Sequence, residues 1–177
     1  MITTIILAAA LTQLAPAEVD LLTYMRQEEK LALDVYNTLG KAHLMRIFQN
    51  IARAEAAHTE SVRQLLIEFK LPDPNRDLTP GKFKNQELQK LHDDLVTKGK
   101  KSLNDALNVG ATIEDKDIFD INKSMTETKN QKILTVLNEL KRGSENHMRA
   151  FYRQLKNRNI TYRPQFIKQA ELDKIIG

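Results

Sequence analysis

The 177-residue chain contains no cysteine. This absence excludes disulfide bonds, thiolate zinc sites, cysteine-ligated iron–sulfur clusters and a cysteine nucleophile, although it does not decide the cellular compartment. Tryptophan is also absent, and there are only six glycines and five prolines. Leu, Lys, Glu, Gln, Asn and Ala dominate, a composition that favours helix over strand. No segment shows the convincing alternation of apolar and polar residues that is typical of a strand.

An excess of charge of one sign is also missing. The net charge is only +4, and basic residues are interleaved with acidic ones along the chain. We therefore expect no specific binding of nucleic acid. The length is that of one ordinary domain, large enough to bury a core without disulfide bonds.

The N-terminal segment is apolar and open to two interpretations. Residues 5–14 resemble the hydrophobic region of a signal peptide, and Ala15-Pro16-Ala17 resembles a cleavage site, but no Lys or Arg precedes them. The run is too short to span a bilayer, so we expect no membrane association. A cleaved export signal and an N-terminal packing extension fit equally well, which leaves both a cytoplasmic and an exported protein open.

Apolar residues recur with the helical period over four long segments. We predict long helices at about residues 17–39, 43–70, 102–125 and 130–157. Gly40 is predicted to end the first of them, and Ser102 to cap the third. The chain is therefore predicted to be all-α.

The connection between the second and third long helices is itself long. The stretch LPDPNRDLTPG ends the second helix, and a short helix is predicted at about residues 86–98. This connection is expected to run along an up-down four-helix bundle and to let the third long helix run as a partner of the second. The predicted parts are an N-terminal extension of residues 1–17, a bundle of residues 18–158 and a tail of residues 159–177, which can carry a short helix.

Each long helix carries a metal-competent residue at the centre of its apolar face. Because a helix advances 100° per residue, every position can be assigned to a face. The central residues are Glu29, Glu55, Glu114 and His147. His58 lies one turn after Glu55, and Asp117 lies one turn after Glu114, near the same faces.

These residues predict a metal site. An uncompensated carboxylate in an apolar interior costs several kcal/mol or takes up a proton, and several such groups also repel one another. A multivalent cation removes both problems, and carboxylate with imidazole suits iron, manganese or zinc. A single Glu-x-x-His pair occurs by chance in many helices, so the hypothesis depends on the agreement of all four.

Other polar residues are predicted to lie outside the site. Glu28 is rotated to the edge of its helix face, and Glu145 points to the opposite side. His43, near a helix start, is not predicted as a ligand, and His92 is predicted to lie on the surface. Tyr36, two turns from Glu29, is predicted as a core residue that can also hydrogen-bond a ligand or relay an electron.

The motifs resemble the ferritin-like superfamily of di-iron carboxylate bundles, in which helix pairs supply Glu and Glu-x-x-His ligands. EKLALDVY resembles the first-helix pattern of rubrerythrin and bacterioferritin, ARAEAAH resembles their second-helix motif, and HMRAF resembles the region of the fourth-helix histidine. From about residue 18 to 166, the chain resembles one prokaryotic ferritin-like family of unknown function. The segments that carry this resemblance are MRQEEKLALDVYNTL, FQNIARAEAAH, LPDP, ALNVGATIEDKDI and GSENHMRAFYRQL.

The resemblance implies two metal ions, iron first, with manganese or zinc as alternatives. The implied ligands are Glu29, Glu55, His58, Glu114 and His147. Of these, the three glutamates would act in catalysis as metal ligands. One position departs from the family pattern, because the fourth helix has Ser144 where Glu is expected. Asp117 is a candidate replacement ligand; as a solvated or capping residue instead, it would leave an asymmetric, mononuclear or weakly loaded site.

The function implied by the resemblance is an oxidoreductase that reacts with dioxygen or hydrogen peroxide. It would act as a peroxidase or ferroxidase in iron or oxidative-stress handling. Because the chain has no cysteine, electrons must come from a separate protein or from ferrous iron. A homodimer or another homo-oligomer is expected. Two further functions stay open: iron storage in an assembled shell, and a binding module whose metal is structural or vestigial.

Overall fold

The computed structural model describes residues 14–76 and 78–177. Within this part there are six α-helices and no strand, which confirms the all-α class. The helices are α1 (Pro16–His43), α2 (Arg46–Glu68), α3 (Gln86–Gly99), α4 (Leu103–Glu127), α5 (Gln131–Lys156) and α6 (Gln169–Ile176). None of them is long and apolar enough to cross a membrane. The export-signal interpretation of residues 1–17 falls mainly outside the described residues.

The first helix ends later than the sequence indicates. Gly40 does not stop α1, which continues to His43, and Leu44 then takes the left-handed conformation with φ of 54°. A Cβ on Gly40 would lie 3.2 Å from the Cβ of Phe48 in α2. This glycine therefore serves the close approach of two helices, and the prediction that it ends α1 is wrong.

Side-chain caps begin three of the helices. Asn85, Ser102 and Asn130 each accept hydrogen bonds from backbone N–H groups of the first turn that follows them. The Ser102 hydroxyl accepts from the Asp105 N–H at 3.0 Å, which confirms the predicted cap. Because the first N–H groups of a helix have no partner within it, these side chains fix where α3, α4 and α5 start.

The four long helices pack as a bundle in which neighbouring helices are antiparallel. Tyr36, late in α1, lies against Phe48, early in α2, with ring centroids 6.4 Å apart. Lys132, early in α5, pairs with Glu68 at the end of α2. The other neighbouring pairs are α1 with α4 and α4 with α5.

Two long helices, α2 and α4, lie on a diagonal of this bundle. Their backbones do not come close to each other, and α3 in the connection between them packs on α1 and α4. The prediction that the third long helix runs as a partner of the second is therefore wrong. The physical reason is the direction of the helices. In this bundle each long helix is antiparallel to its two neighbours, and α2 and α4 run in the same direction, so they cannot be neighbours.

The interior consists of two apolar clusters at different heights. One contains Tyr36, Phe48 and Phe151, and the other contains Leu22 and Ile133 among others. In each long helix the predicted polar residue falls between positions of the two clusters. The fold thus places a polar layer at mid-height, shielded from water on both sides.

The C-terminal tail is fastened to α4 by one buried carboxylate. Asp115 is fully buried and accepts hydrogen bonds from the Tyr162 hydroxyl at 2.9 Å and from the Ile167 N–H at 2.9 Å. The backbone N–H groups of Gln165 and Phe166 also donate to it. A carboxylate can accept four such bonds, so Asp115 provides an acceptor for all four of these donors in the tail.

Replacing this carboxylate should loosen the tail. We expect Asp115→Ala to lower the free energy of unfolding by about 3 kcal/mol, because several buried donors lose their acceptor. Thermal unfolding followed by circular dichroism should show a Tm lower by about 10 °C. Asp94→Ala is the matched control, since Asp94 is exposed and forms a surface ion pair with Lys90. Equal Tm values for the two variants would contradict the assignment.

Candidate metal centre

Five side chains from the four long helices meet in the polar layer. They form two groups, one of Glu29, Glu55 and His58, and the other of Glu55, Glu114 and His147. Within each group, one ligand atom from every residue lies within 4.8 Å of the others. Glu55 belongs to both groups, so the two are adjacent and share one carboxylate.

The two groups have nearly the same geometry. His58 Nδ1 lies 2.9 Å from Glu55 Oε2, and His147 Nδ1 lies 2.8 Å from Glu55 Oε1. Each histidine also has a second carboxylate at 3.5 Å, Glu29 for His58 and Glu114 for His147. The imidazole rings are 5.5 Å apart between centroids. Both oxygens of Glu55 are therefore used, one toward each histidine.

The carboxylates are almost completely removed from water. Glu29 and Glu114 are 1% exposed and Glu55 is 2% exposed. Burial raises the pKa of Glu29 to about 7 and also raises the pKa of Glu114. For Glu55, burial has the same tendency, but the imidazoles of His147 and His58 close to its two oxygens lower the pKa to about 2. Glu55 is thus the carboxylate that the surroundings keep charged.

The two histidines carry the compensating charge. Burial alone would lower the pKa of each, but Glu29 and Glu55 raise the pKa of His58 to about 11. Glu114 and Glu55 raise the pKa of His147 to about 10 against the same burial. At neutral pH without metal, both imidazoles are therefore protonated partners of the carboxylates.

Two glycines make room for the ring side chains of this layer. A Cβ on Gly143 would lie 2.4 Å from His58 Cε1 and Nε2, and one on Gly110 would lie 2.3 Å from Phe151 Cε1. No real side chain tolerates such approaches. A glycine inside an otherwise strong helix pattern was the available sequence signal for these contacts.

Tyr36 lies beside the second group. It is fully buried, and its hydroxyl donates to Glu114 Oε1 and lies 3.3 Å from the Gly110 carbonyl oxygen. Burial raises its pKa well above the usual value, and the Glu114 charge adds to this effect. Both expectations for Tyr36 agree with this position: it is a core residue, and it hydrogen-bonds a candidate ligand.

Asp117 is buried next to the centre but belongs to neither group. Its Oδ2 accepts a hydrogen bond from Ser144 Oγ, at the position where the ferritin-like pattern has Glu. Burial raises its pKa well above the usual value, and the charges of Glu29 and Glu28 raise it further. The interpretation as a solvated residue is therefore wrong, whereas its service as a ligand stays a prediction.

The sequence predicts positions outside the centre for three further residues. His43 lies away from it, with Nε2 2.7 Å from the Gly99 carbonyl oxygen. His92 is buried against Phe83, so its predicted surface position is wrong. Glu28 is buried too, because Lys116 from α4 pairs with it at 2.5 Å. A pair between distant segments leaves no signal in the spacing of either helix.

The family model described as "Uncharacterized protein domain (DUF2202)" matches residues 18–177. The chain belongs to the DUF2202 family. The match begins at residue 18, where the resemblance seen in the sequence also begins, and it continues through the tail that Asp115 holds.

Two comparisons find a relative of this DUF2202 chain in Methanocaldococcus jannaschii. Uncharacterized protein MJ0754 of Methanocaldococcus jannaschii is 47% identical over 153 residues, which are 86% of this chain and 83% of the relative. The crystal structure of hypothetical protein MJ0754 from Methanococcus jannaschii DSM 2661 matches with a TM-score of 0.91 and 45% identity. It covers 92% of this chain and 93% of that one, so the fold is shared over nearly the whole length.

The donor set of this DUF2202 protein fits metal binding. Glu29 Oε1 and His147 Nδ1 are buried without a hydrogen-bond partner among the described residues. His147 Nδ1 lies 2.8 Å from Glu55 Oε1, yet the two do not form a hydrogen bond of good geometry. Buried polar atoms without partners are costly, and coordination of a cation satisfies them. The two groups can therefore hold metal.

Removing the shared carboxylate should empty both groups. We expect Glu55→Ala to lose most of the metal bound after loading and desalting, measured by mass spectrometry of the elements. Glu145→Ala is the control, because Glu145 belongs to neither group. Circular dichroism should show that both variants stay helical. Equal metal contents would contradict the site.

Metal binding should release protons. At pH 7 both imidazoles are protonated, since their pKa values are raised to about 11 and about 10, and Nδ1 must lose its proton to bind a cation. We expect at least two protons per chain to be released, because Glu29, whose pKa is raised to about 7, adds to the two imidazoles, and we expect affinity to fall as pH falls. Titration calorimetry with zinc in PIPES and in Tris buffer, which differ in their heat of ionisation, measures this number. The same enthalpy in both buffers would refute it.

Proposed function

We propose that this protein is a ferritin-like di-metal carboxylate protein, with two iron ions and with manganese or zinc as alternatives. We propose further that it is an oxidoreductase that reacts with dioxygen or hydrogen peroxide in iron or oxidative-stress handling. The single observation that carries the proposal is the sharing of Glu55 between two groups of nearly equal geometry. A lone carboxylate–histidine triad would support one ion, whereas two triads with a common carboxylate favour a pair.

The residues have distinct parts in holding such a pair. Glu29 and His58 would hold one ion, Glu114 and His147 the other, and Glu55 would serve both. When bound, two neighbouring iron ions supply the two electrons that reduction of peroxide requires. Tyr36 keeps Glu114 in place through its hydroxyl.

The apolar surroundings of the centre favour a reaction from which water is excluded. The apolar clusters above and below exclude water, which strengthens the electrostatic interactions within the layer. Among the described residues, Glu29 Oε1 has no hydrogen-bond partner, so this carboxylate can change its binding mode as the charge beside it changes. Electrons come from a separate protein or from ferrous iron, because the 177 residues contain no cysteine for a rubredoxin-type iron.

A second candidate function is a helical binding module with a structural ion. The observation in its favour is Ser144, which stands where the ferritin-like pattern supplies a carboxylate and which donates to Asp117. With five side chains for two ions, one ion would be held less firmly. A metal that never changes its redox state would then serve only to neutralise the buried charges.

Iron loading distinguishes the two candidates. We expect about two irons per chain after anaerobic loading with ferrous iron, as in other di-metal bundles. Addition of hydrogen peroxide should then produce a new absorption band of oxidised iron. One iron or none, without a spectral change, would refute the oxidoreductase and favour the binding module. A mass of 12 or 24 subunits in solution would instead indicate iron storage, the cage-forming alternative.

A further inference from the structure

A cavity lies between α1, α3, α4 and the C-terminal tail. Its volume is about 30 Å³, which accommodates about two water-sized groups. The wall is almost wholly apolar, and its apolar side chains are Leu31, Ala32, Leu91, Leu95, Ile113 and Phe166. A molecule of two heavy atoms therefore fits into the cavity, whereas an organic substrate does not.

Two polar residues at the border of the cavity use their polar atoms elsewhere. The Thr112 hydroxyl donates to a backbone carbonyl oxygen one turn earlier at 2.9 Å and accepts from Gln165 at 3.0 Å. The Lys116 ammonium has three N–H groups, and it donates to the Tyr24 hydroxyl and to two carboxylates. Neither residue therefore has a donor left for a molecule in the cavity.

The two carboxylates that border the cavity are closed to it as well. Lys116 pairs with Glu28 Oε1, and Ser144 donates to Asp117 Oδ2. The other two oxygens, Glu28 Oε2 and Asp117 Oδ1, each expose less than 1 Å². A water molecule inside would lose its hydrogen bonds, because the wall offers it neither donor nor acceptor. The cavity therefore favours an apolar molecule, as dry apolar cavities in proteins do.

The cavity shares two helices with the metal centre. Ala32 lies one turn after Glu29 on α1, and Ile113 directly precedes Glu114 on α4. At a rise of about 1.5 Å per residue, these wall residues are within about 5 Å of the candidate ligands along the helix axes. A molecule in the cavity would therefore stand beside the polar layer.

Aromatic rings form an apolar surface at the outer side of the cavity. Phe166, in the wall, is 40% exposed, and Phe119 beside it is 43% exposed. The centroids of the two rings are 6.4 Å apart. An apolar molecule that arrives from solvent thus meets this surface before it enters.

We propose that this cavity binds dioxygen and is the site from which dioxygen reaches the metal centre. Dioxygen has two heavy atoms, has no hydrogen to donate and favours apolar surroundings. Hydrogen peroxide has the same number of heavy atoms, but it would lose its hydrogen bonds to water on entering. The proposal rests on the proposed oxidoreductase function and deepens it, because it assigns this access to dioxygen and not to peroxide.

Xenon tests the site without any reaction, since it is an inert apolar atom that enters dry cavities. In a crystal of the full chain under xenon pressure, we expect a xenon atom in contact with Leu31, Ala32 and Ile113. A crystal that holds no xenon at this place would overturn the proposal.

Dioxygen itself can be followed through its paramagnetism. In the full chain without added iron, dissolved dioxygen should broaden the methyl signals of Ala32 and Ile113 more than those of Leu21 and Leu65. The latter two are similarly buried, but they belong to the other apolar cluster. Equal broadening of both pairs would overturn the proposal.

A substitution that fills the cavity should block the access. Ala32→Leu should abolish the preferential broadening of the Ile113 methyl signals. In the iron-loaded protein, it should slow oxidation by dioxygen about tenfold and leave oxidation by hydrogen peroxide unchanged. Ala42→Leu, the same change at an exposed position of α1, is the control and should alter neither rate. Equal slowing with both oxidants, or slowing with neither, would overturn the access route.

The outcomes separate this proposal from the proposed function. Xenon and dioxygen in the cavity of a chain that takes up no iron would support the binding site and refute the oxidoreductase. A chain that loads two irons but binds neither gas in the cavity would overturn the binding site and leave the oxidoreductase intact.

Discussion

Burial of three carboxylates at one height of the bundle is the constraint on which the rest of the structure depends. Glu29, Glu55 and Glu114 are at most 2% exposed, and such groups lose their charge unless positive partners lie close by. His58 and His147 supply these partners, and both do so through Glu55. Since the five residues come from four helices, sliding any helix by one turn would separate charges that have no other partner. The polar layer therefore fixes the register of the bundle, and the apolar clusters on either side supply the burial that offsets its cost.

Much of this layer was predictable because it depends on local periodicity. The position of a residue on a helix face follows from 100° per residue, so Glu29, Glu55, Glu114 and His147 could be assigned to the interior without tertiary information. Helix starts were also predictable where a side chain caps them, as at Ser102.

The wrong predictions concern contacts between distant segments. A glycine at the end of an apolar pattern usually indicates a helix end, but Gly40 instead makes room for Phe48 on the next helix. His92 is buried against Phe83, which precedes its helix and has no part in the helix pattern. The diagonal placement of α2 and α4 follows from the packing of all four helices together. Such features depend on tertiary contacts that no single helix encodes.

The two groups of the centre, one with Glu29 and His58 and the other with Glu114 and His147, have nearly the same distances. Their carboxylates, however, are not held equally firmly. Tyr36 donates to Glu114 and so holds this carboxylate, whereas Glu29 Oε1 has no hydrogen-bond partner in the described part of the chain. Among the charges that raise the pKa of Asp117, Glu29 and Glu28 act more strongly than Glu114 and Glu55. The movable carboxylate is thus the one whose charge acts most strongly on Asp117. A metal pair that changes charge during a reaction needs one ligand that can rearrange and one that keeps the ions in place. In the proposed function, these two tasks would fall to opposite halves of the centre.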